Sequence, residues 1–148
     1  MSIEVIREAL SWLGTKFKHQ GRAKITDQDL GGCDCLGMIM GIAERVNAKT
    51  FNGKELKLFD QNNYPKLLNS NILFEQLNQL LTRVEIEYMQ PGDIILLRIN
   101  NWPQHLAIIH SIAPNIIIIH SYIQARKVVQ QHLPENWFKN IIAVYRFN

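Results

Sequence analysis

The sequence predicts an α+β domain, with N-terminal helices packed on one face of a C-terminal antiparallel sheet of about five strands. Apolar residues recur at helical spacing across roughly the first 81 positions, whereas short β-branched runs crowd the stretch from Ile94 to Phe147. Between them "QPGD", Gln90 to Asp93, is a turn signal where the periodicity changes. A chain of 148 residues suits one domain, 1–148, large enough to bury a core without staples.

The first helix is expected to be capped by Ser2, to face inward through Ile3, Ile6, Ala9, Leu10 and Leu13, and to stop at Gly14. A polar, basic loop, "TKFKHQGRAKITDQDLGG", precedes a second helix from about Cys35 to Val46, with Leu36, Ile39, Met40, Ala43 and Val46 inward. Asn47 to Asn63 reads as irregular. Tyr64 to Leu81 is helical in pattern, with Leu67, Leu68, Leu73, Phe74, Leu77, Leu80 and Leu81 on its apolar positions and a break at Asn69 to Asn71. Beyond Asp93, "IILLRI", "HLAIIHSI", "NIIIIHSY", "ARKVVQQHL" and "IIAVYRF" read as a five-stranded meander. Asp93 itself is expected to fix the turn that opens the first of them.

Composition narrows the classes of function. Hydrophobic residues at 47% and charged residues at 20% fit a globular chain. Sixteen Lys and Arg against thirteen Asp and Glu leave a net +3, which tolerates an anionic partner without demanding one. The aromatics do not interleave with a basic strip, so no nucleic-acid module is expected. No apolar run has membrane-spanning length, so no membrane insertion is expected. "MSIEVIREALSWLG" lacks the features of a secretory signal, and the chain is expected to be made in the cytoplasm.

The chemistry concentrates in "GGCDCLG", Gly31 to Gly37. Cys33 and Cys35 are too close for a relaxed disulfide, have no second cysteine pair with which to clamp a metal, and do not have redox Cys-x-x-Cys spacing. No metal or cofactor is expected. With Asp34 as N-cap, Cys35 stands at the first helical position, where free amides and the helix dipole are expected to lower its pKa and to hold an oxyanion. Gly31 and Gly32 allow a tight approach, and Gly37 is expected to keep the first turn open for substrate. Cys33 reads as packing.

A thiol nucleophile needs a base. His105 opens the second strand of the meander and His120 closes the third. An even loop between the strands sets Ala107 against His120 and puts His105 on the same face; an odd loop sends the two rings to opposite faces. On the even register His105 takes the thiol proton and His120 fixes its tautomer. His110 falls on the other face, His132 ends a strand, and His19 lies in the loop before the nucleophile, where filler and site are equally open readings. Lys16, Lys18, Arg22 and Lys24 form a basic patch that could meet an anionic ligand but reads first as a solvated loop.

"CDCLG" before an amphipathic helix, "PGDIILL", "QHLAIIHS" and "IIHSY...RKVVQQHL" together resemble the NlpC-type cell-wall cysteine peptidases, in particular a compact subgroup encoded with phage and gene-transfer-agent tail genes. The resemblance runs from "WLGTKFKHQG" to "AVYRF" and is weakest between Asn47 and Arg83. It implies a papain-like fold and a cofactor-free cysteine endopeptidase or amidase acting on peptidoglycan stem peptides. Cys35 then matches the nucleophile, His105 the base and His120 the orienting residue. Asp34, Leu36, Gly37, Phe17 and His19 fall at the substrate and oxyanion side. Phe17 stands where such proteins usually carry tyrosine, and Leu36 where they carry a small hydroxyl residue, so the departures bear on substrate recognition rather than on chemistry. A peptidoglycan peptide is the implied partner, with phage-like tail proteins for delivery to the wall. The rival readings are a structural tail component that binds wall peptide without turnover, and a related thiol acyl transfer or deamidation.

Overall fold

The structure, a computed structural model, describes residues 2–61, 72–99 and 102–148, with only the backbone of 102 and 103. Helix α1 (Ser2–Ser11) is followed by short strands β1 (Arg22–Ala23) and β2 (Gly32–Cys33), and then by helix α2 (Cys35–Arg45). Helix α3 (Ile72–Leu80) leads into β3 (Thr82–Val84). Then come β4 (Ile94–Ile99), β5 (Trp102–Ser111), β6 (Ile117–Tyr122), β7 (Lys127–His132), helix α4 (Glu135–Phe138) and β8 (Ile141–Arg146). The expected helix over 64–71 lies outside the described residues; its second part is α3, which buries Leu73 and Leu77.

All five expected strands form, yet the main sheet is not a meander. Its order is β3-β8-β4-β5-β6-β7, six strands, all pairings antiparallel. The last strand returns to lie between β3 and β4, and β3 had no signal because its three residues are largely exposed. Asp93 secures that return. Its carboxylate accepts from the Gln90 amide at 2.9 Å, closing the turn, and from Arg146 Nε and Nη2 at 2.8 and 2.9 Å, pinning the end of β8.

The helices do not all lie on one face. Ile94, Leu96, Leu106, Ile108, Ile119 and Tyr145 point to one core, against Val5, Ala9, Trp12 and the apolar residues of α2. Ile95, Leu97, Ala107, Ile109, Ile118 and Val144 point to a second core, closed by Trp137 of α4. Burial on both faces explains why "IILLRI" is apolar without alternation. In α1 Val5 and Ala9 are buried, in line with the buried Trp12 just beyond the helix, while Ile3 is exposed. Ser2 is the first helical residue rather than the cap. Gly14, at φ +88°, ends the turn after α1 as expected. Trp12 sits over Gly41 of α2, where any side chain would overlap the indole.

The basic loop is largely an extension of the sheet. Gly14 N–H donates to Val128 at 3.0 Å, Val128 N–H to Thr15 at 2.9 Å, and Phe17 N–H to Arg126 at 2.9 Å, so residues 14–17 run along β7. On its other side the same segment exchanges Lys18 N–H to Cys33 and Cys33 N–H to Lys16, at 3.0 and 2.9 Å. This ribbon ties β2, and hence the start of α2, to the main sheet.

Candidate active site

Cys35 is placed by helix-end chemistry. Asp34 caps α2 with extended backbone, and its Oδ1 accepts from the Gly37 amide at 2.8 Å. The other oxygen accepts from the Gln20 amide at 2.8 Å, and Arg22 Nη1 lies 3.4 Å from Oδ1. Asp34 is therefore engaged by two amides and a guanidinium. It holds the loop to the helix, and its negative charge suits it poorly to an oxyanion. Arg22 also donates to both oxygens of Asp60, at 2.9 and 3.0 Å, and Lys24 pairs with Glu8 at 2.8 Å. Half of the basic patch read from sequence is thus internal ion-pair structure.

Gly37 is small for a reason other than the expected one. A Cβ there would overlap the Gly21 carbonyl oxygen, so the loop main chain, and no open space for substrate, occupies the glycine's side. Gly31, at φ +67°, turns the chain into β2 as expected. Cys33 is fully buried in the first core, and Ser121 Oγ donates to its carbonyl at 2.8 Å. Burial pushes its thiol up to about 12.

The Cys35 sulfur receives the main-chain amides of Leu106 and Leu36. Leu106 follows His105, so the thiol meets β5 beside the base read from sequence. Cys35 N–H has no partner among the described residues, and no hydrogen bond joins Cys35 Sγ to His105 among them. The expected low pKa is reversed. Cys35 retains some exposure, but the protein packed around the sulfur pushes the thiol up to about 12, the Asp34 charge adds to the rise, and the two amides oppose it. Desolvation outweighs the helix end.

The two histidines meet, by a route the sequence did not show. Five residues, 112–116, separate the paired Ser111 and Ile117, an odd loop that by itself sends the rings to opposite faces. A bulge at His110 inserts one residue in β5 and restores the parity, giving Ile109↔Ile118 and Ile108↔Ile119. Continued by one step, that register sets Ala107 against His120. His105 Nε2 lies 2.7 Å from His120 Nδ1. Both rings are on the face of the second core. His120 stacks on Tyr122 with ring centres 5.0 Å apart and meets Trp137 edge-on at 5.9 Å. Burial lowers His105 well below the ordinary imidazole value, with His120 adding to the shift, and lowers His120 to about 4. Burial at this site thus favours the neutral thiol and the neutral imidazoles.

His19, Phe17 and Leu36 adjoin the start of α2. His19 Nδ1 is 3.9 Å from Asp34 Oδ2. Phe17 is bridged to Cys33 and half-buried. Leu36 lines a mostly apolar cavity of about 250 Å³ with Ile39, Met40, Leu73 and Leu77. His132 is exposed at the end of β7, and His110 is the bulged residue. Sequence reading missed Gln131, whose Oε1 is 2.7 Å from His120 Nε2, and the aromatic pair Tyr122 and Trp137. Tyr122 was findable, two residues beyond His120 on the same strand face; Gln131 needed the β6–β7 register. Among the described residues no group of three or more His, Cys, Asp or Glu is arranged to hold a metal ion, and no helix is long and apolar enough to cross a membrane.

The fold is that of NlpC/p60 domains. The chain superimposes on the NlpC/p60 domain of the peptidoglycan hydrolase SagA with a TM-score of 0.60 and 15% identity, covering 98% of this chain and 97% of that one. An NlpC/p60 family protein from Bacillus cereus gives 0.64 at 16% identity, over 99% of this chain and 40% of the longer protein. An N-acetylmuramoyl-L-alanine amidase from Bacteroides uniformis gives 0.59 at 12% identity, over 99% and 98% of the two chains. By sequence, no protein-family model and no curated protein matches the chain.

Proposed function

We propose that the protein is a cysteine hydrolase that cleaves amide bonds in the peptide stems of peptidoglycan, as an endopeptidase or amidase. The observation that carries the reading is Cys35 at the first position of an Asp34-capped helix, its sulfur beside the Leu106 amide, next to a base hydrogen-bonded to His120. The fold shared with the peptidoglycan hydrolase and amidase domains supports the choice of substrate.

In the proposed reaction the resting pair is neutral, so proton transfer from Cys35 to His105 accompanies sulfur attack on the carbonyl instead of preceding it. The unpartnered Cys35 N–H donates to the developing oxyanion. Protonated His105 then gives its proton to the leaving amine, and the neutral ring activates water to hydrolyse the acyl-enzyme. His120 accepts from His105 Nε2 throughout and steadies the imidazolium. No cofactor enters these steps.

The decisive experiment is digestion of purified muropeptides followed by mass spectrometry of the products. Wild type is expected to release a new amine and a new carboxylate at one stem bond, and Cys35→Ala is expected to release neither while keeping its circular dichroism spectrum. Undiminished cleavage by Cys35→Ala overturns the proposal. The second reading, a wall-peptide-binding component without turnover, is favoured by the absence of a thiol-to-His105 hydrogen bond among the described residues and by Leu36 lining an apolar cavity. Binding of muropeptides without any product from wild type would select it. Delivery to the wall on a phage-like tail completes the proposal. It rests on the sequence resemblance and is tested by whether the protein co-sediments with tail particles.

A further inference from the structure

Behind the two histidines lies a third polar side chain with a definite chemical sense. In β7, Gln131 pairs with Ile118, which shares a strand face with His120, so the amide reaches the imidazole diagonally. Gln131 Oε1 is 2.7 Å from His120 Nε2, and Gln131 Nε2 points at the His132 carbonyl oxygen at 3.4 Å. That second contact sets the amide orientation, because a carbonyl oxygen accepts only from the nitrogen end.

From this orientation we infer that Gln131 is the positioning residue that selects the ring tautomers of both histidines and thereby makes His105 Nδ1 the base. An amide oxygen only accepts, so His120 Nε2 carries a proton. Neutral His120 then offers a lone pair at Nδ1. His105 must donate to it from Nε2, across the 2.7 Å contact, and this leaves the His105 lone pair on Nδ1. Nδ1 is the ring nitrogen nearer the main chain, and the Cys35 sulfur meets the main chain of β5 at Leu106. Tyr122 and Trp137 pack against the His120 ring and hinder the rotation that would release it. Because glutamine is neutral, it orders the relay without adding an anion to stabilise an imidazolium.

The inference concerns the catalytic machinery and so rests on the proposed hydrolase reading, but its test has a readout independent of turnover. In the 148-residue protein with ¹⁵N-labelled histidine, two-bond proton–nitrogen correlations report which ring nitrogen is protonated. Both His105 and His120 are expected as Nε2–H at pH 7. In Gln131→Leu, His120 is expected to lose that pure state and His105 to shift toward Nδ1–H, with kcat falling by up to about a hundredfold at unchanged KM. Gln131→Glu keeps the acceptor, so it is expected to keep both tautomers while moving the His120 titration, and the acid limb of kcat/KM, to higher pH. Nδ1–H tautomers in wild type, unchanged tautomers in Gln131→Leu, or an unmoved His120 titration in Gln131→Glu would each overturn the inference. If Gln131→Leu does not fold, the Gln131→Glu titration decides alone. Wild-type protein with the expected tautomers but no muropeptide products would refute the hydrolase reading and leave the tautomer assignment standing.

Discussion

Removing the Asp34 carboxylate is expected to weaken the fold and at the same time make Cys35 more reactive. The carboxylate accepts from the amides of Gly37 and Gln20, both at 2.8 Å, in a residue that is 6% exposed. Asp34→Ala strands both amides and forfeits the cap, at about 1–2 kcal/mol for each. A total of roughly 2–4 kcal/mol lowers Tm by about 5–15 °C in a chain of this size. Asp34→Asn keeps one acceptor and turns an amide NH₂ toward the other donor, so about half of that loss is expected. The thiol responds in the opposite sense. The Asp34 charge is the second cause of the raised Cys35 pKa, after burial, so neutralising it in Asp34→Asn lowers the pKa and enlarges the thiolate fraction. Iodoacetamide labelling at pH 8, mapped by mass spectrometry to separate Cys35 from the buried Cys33, is expected to run severalfold faster in Asp34→Asn than in wild type. Labelling that is slower or unchanged would refute the reasoning, and so would an Asp34→Ala protein with wild-type Tm.

His120 is held neutral from the ordinary value of 6.5 down to about 4, so the unfolded chain binds its proton first. Stability from this group is complete above pH 6.5 and is lost as pH falls toward 4, by roughly 3 kcal/mol. Urea unfolding at several pH values should show a steeper acid slope in wild type than in His120→Gln, and equal slopes would contradict the burial argument. Gly37→Ala sets a helix-propensity gain of up to about 1 kcal/mol against overlap with the Gly21 carbonyl, which costs about 1–3 kcal/mol or more because main chain must move. The net result is expected to be a lower Tm; a raised one would show that the loop does not pack on α2.

The lowered histidine pKa values and the raised thiol pKa have one cause. Each group faces a core that excludes water from the form carrying charge, and the local dipoles are too few to compensate. A neutral resting pair follows. In the proposed reaction, an amide carbonyl brought to the exposed edge of Cys35 is the electrophile that draws the proton transfer.

What the sequence determined by itself is what short-range chemistry decides. Asp34 before Cys35 is a cap because a carboxylate at that offset reaches the Gly37 amide in any helix that starts there. The five β-branched runs became strands for an equally local reason, and the helix-first, strands-later order settled the fold class. Tertiary structure decided the rest. It decided that β8 inserts between β3 and β4, since strand order depends on distant partners. Through the His110 bulge it also decided that an odd loop still brings His105 and His120 together. Gln131 became visible only once β6 and β7 had a register, and Gly37 gained its meaning only once the Gly21 carbonyl was seen against it. The sign of the Cys35 pKa shift likewise belongs to the tertiary structure. The helix end that lowers it is written in adjacent residues, whereas the burial that overrides it is assembled from segments far apart in the chain.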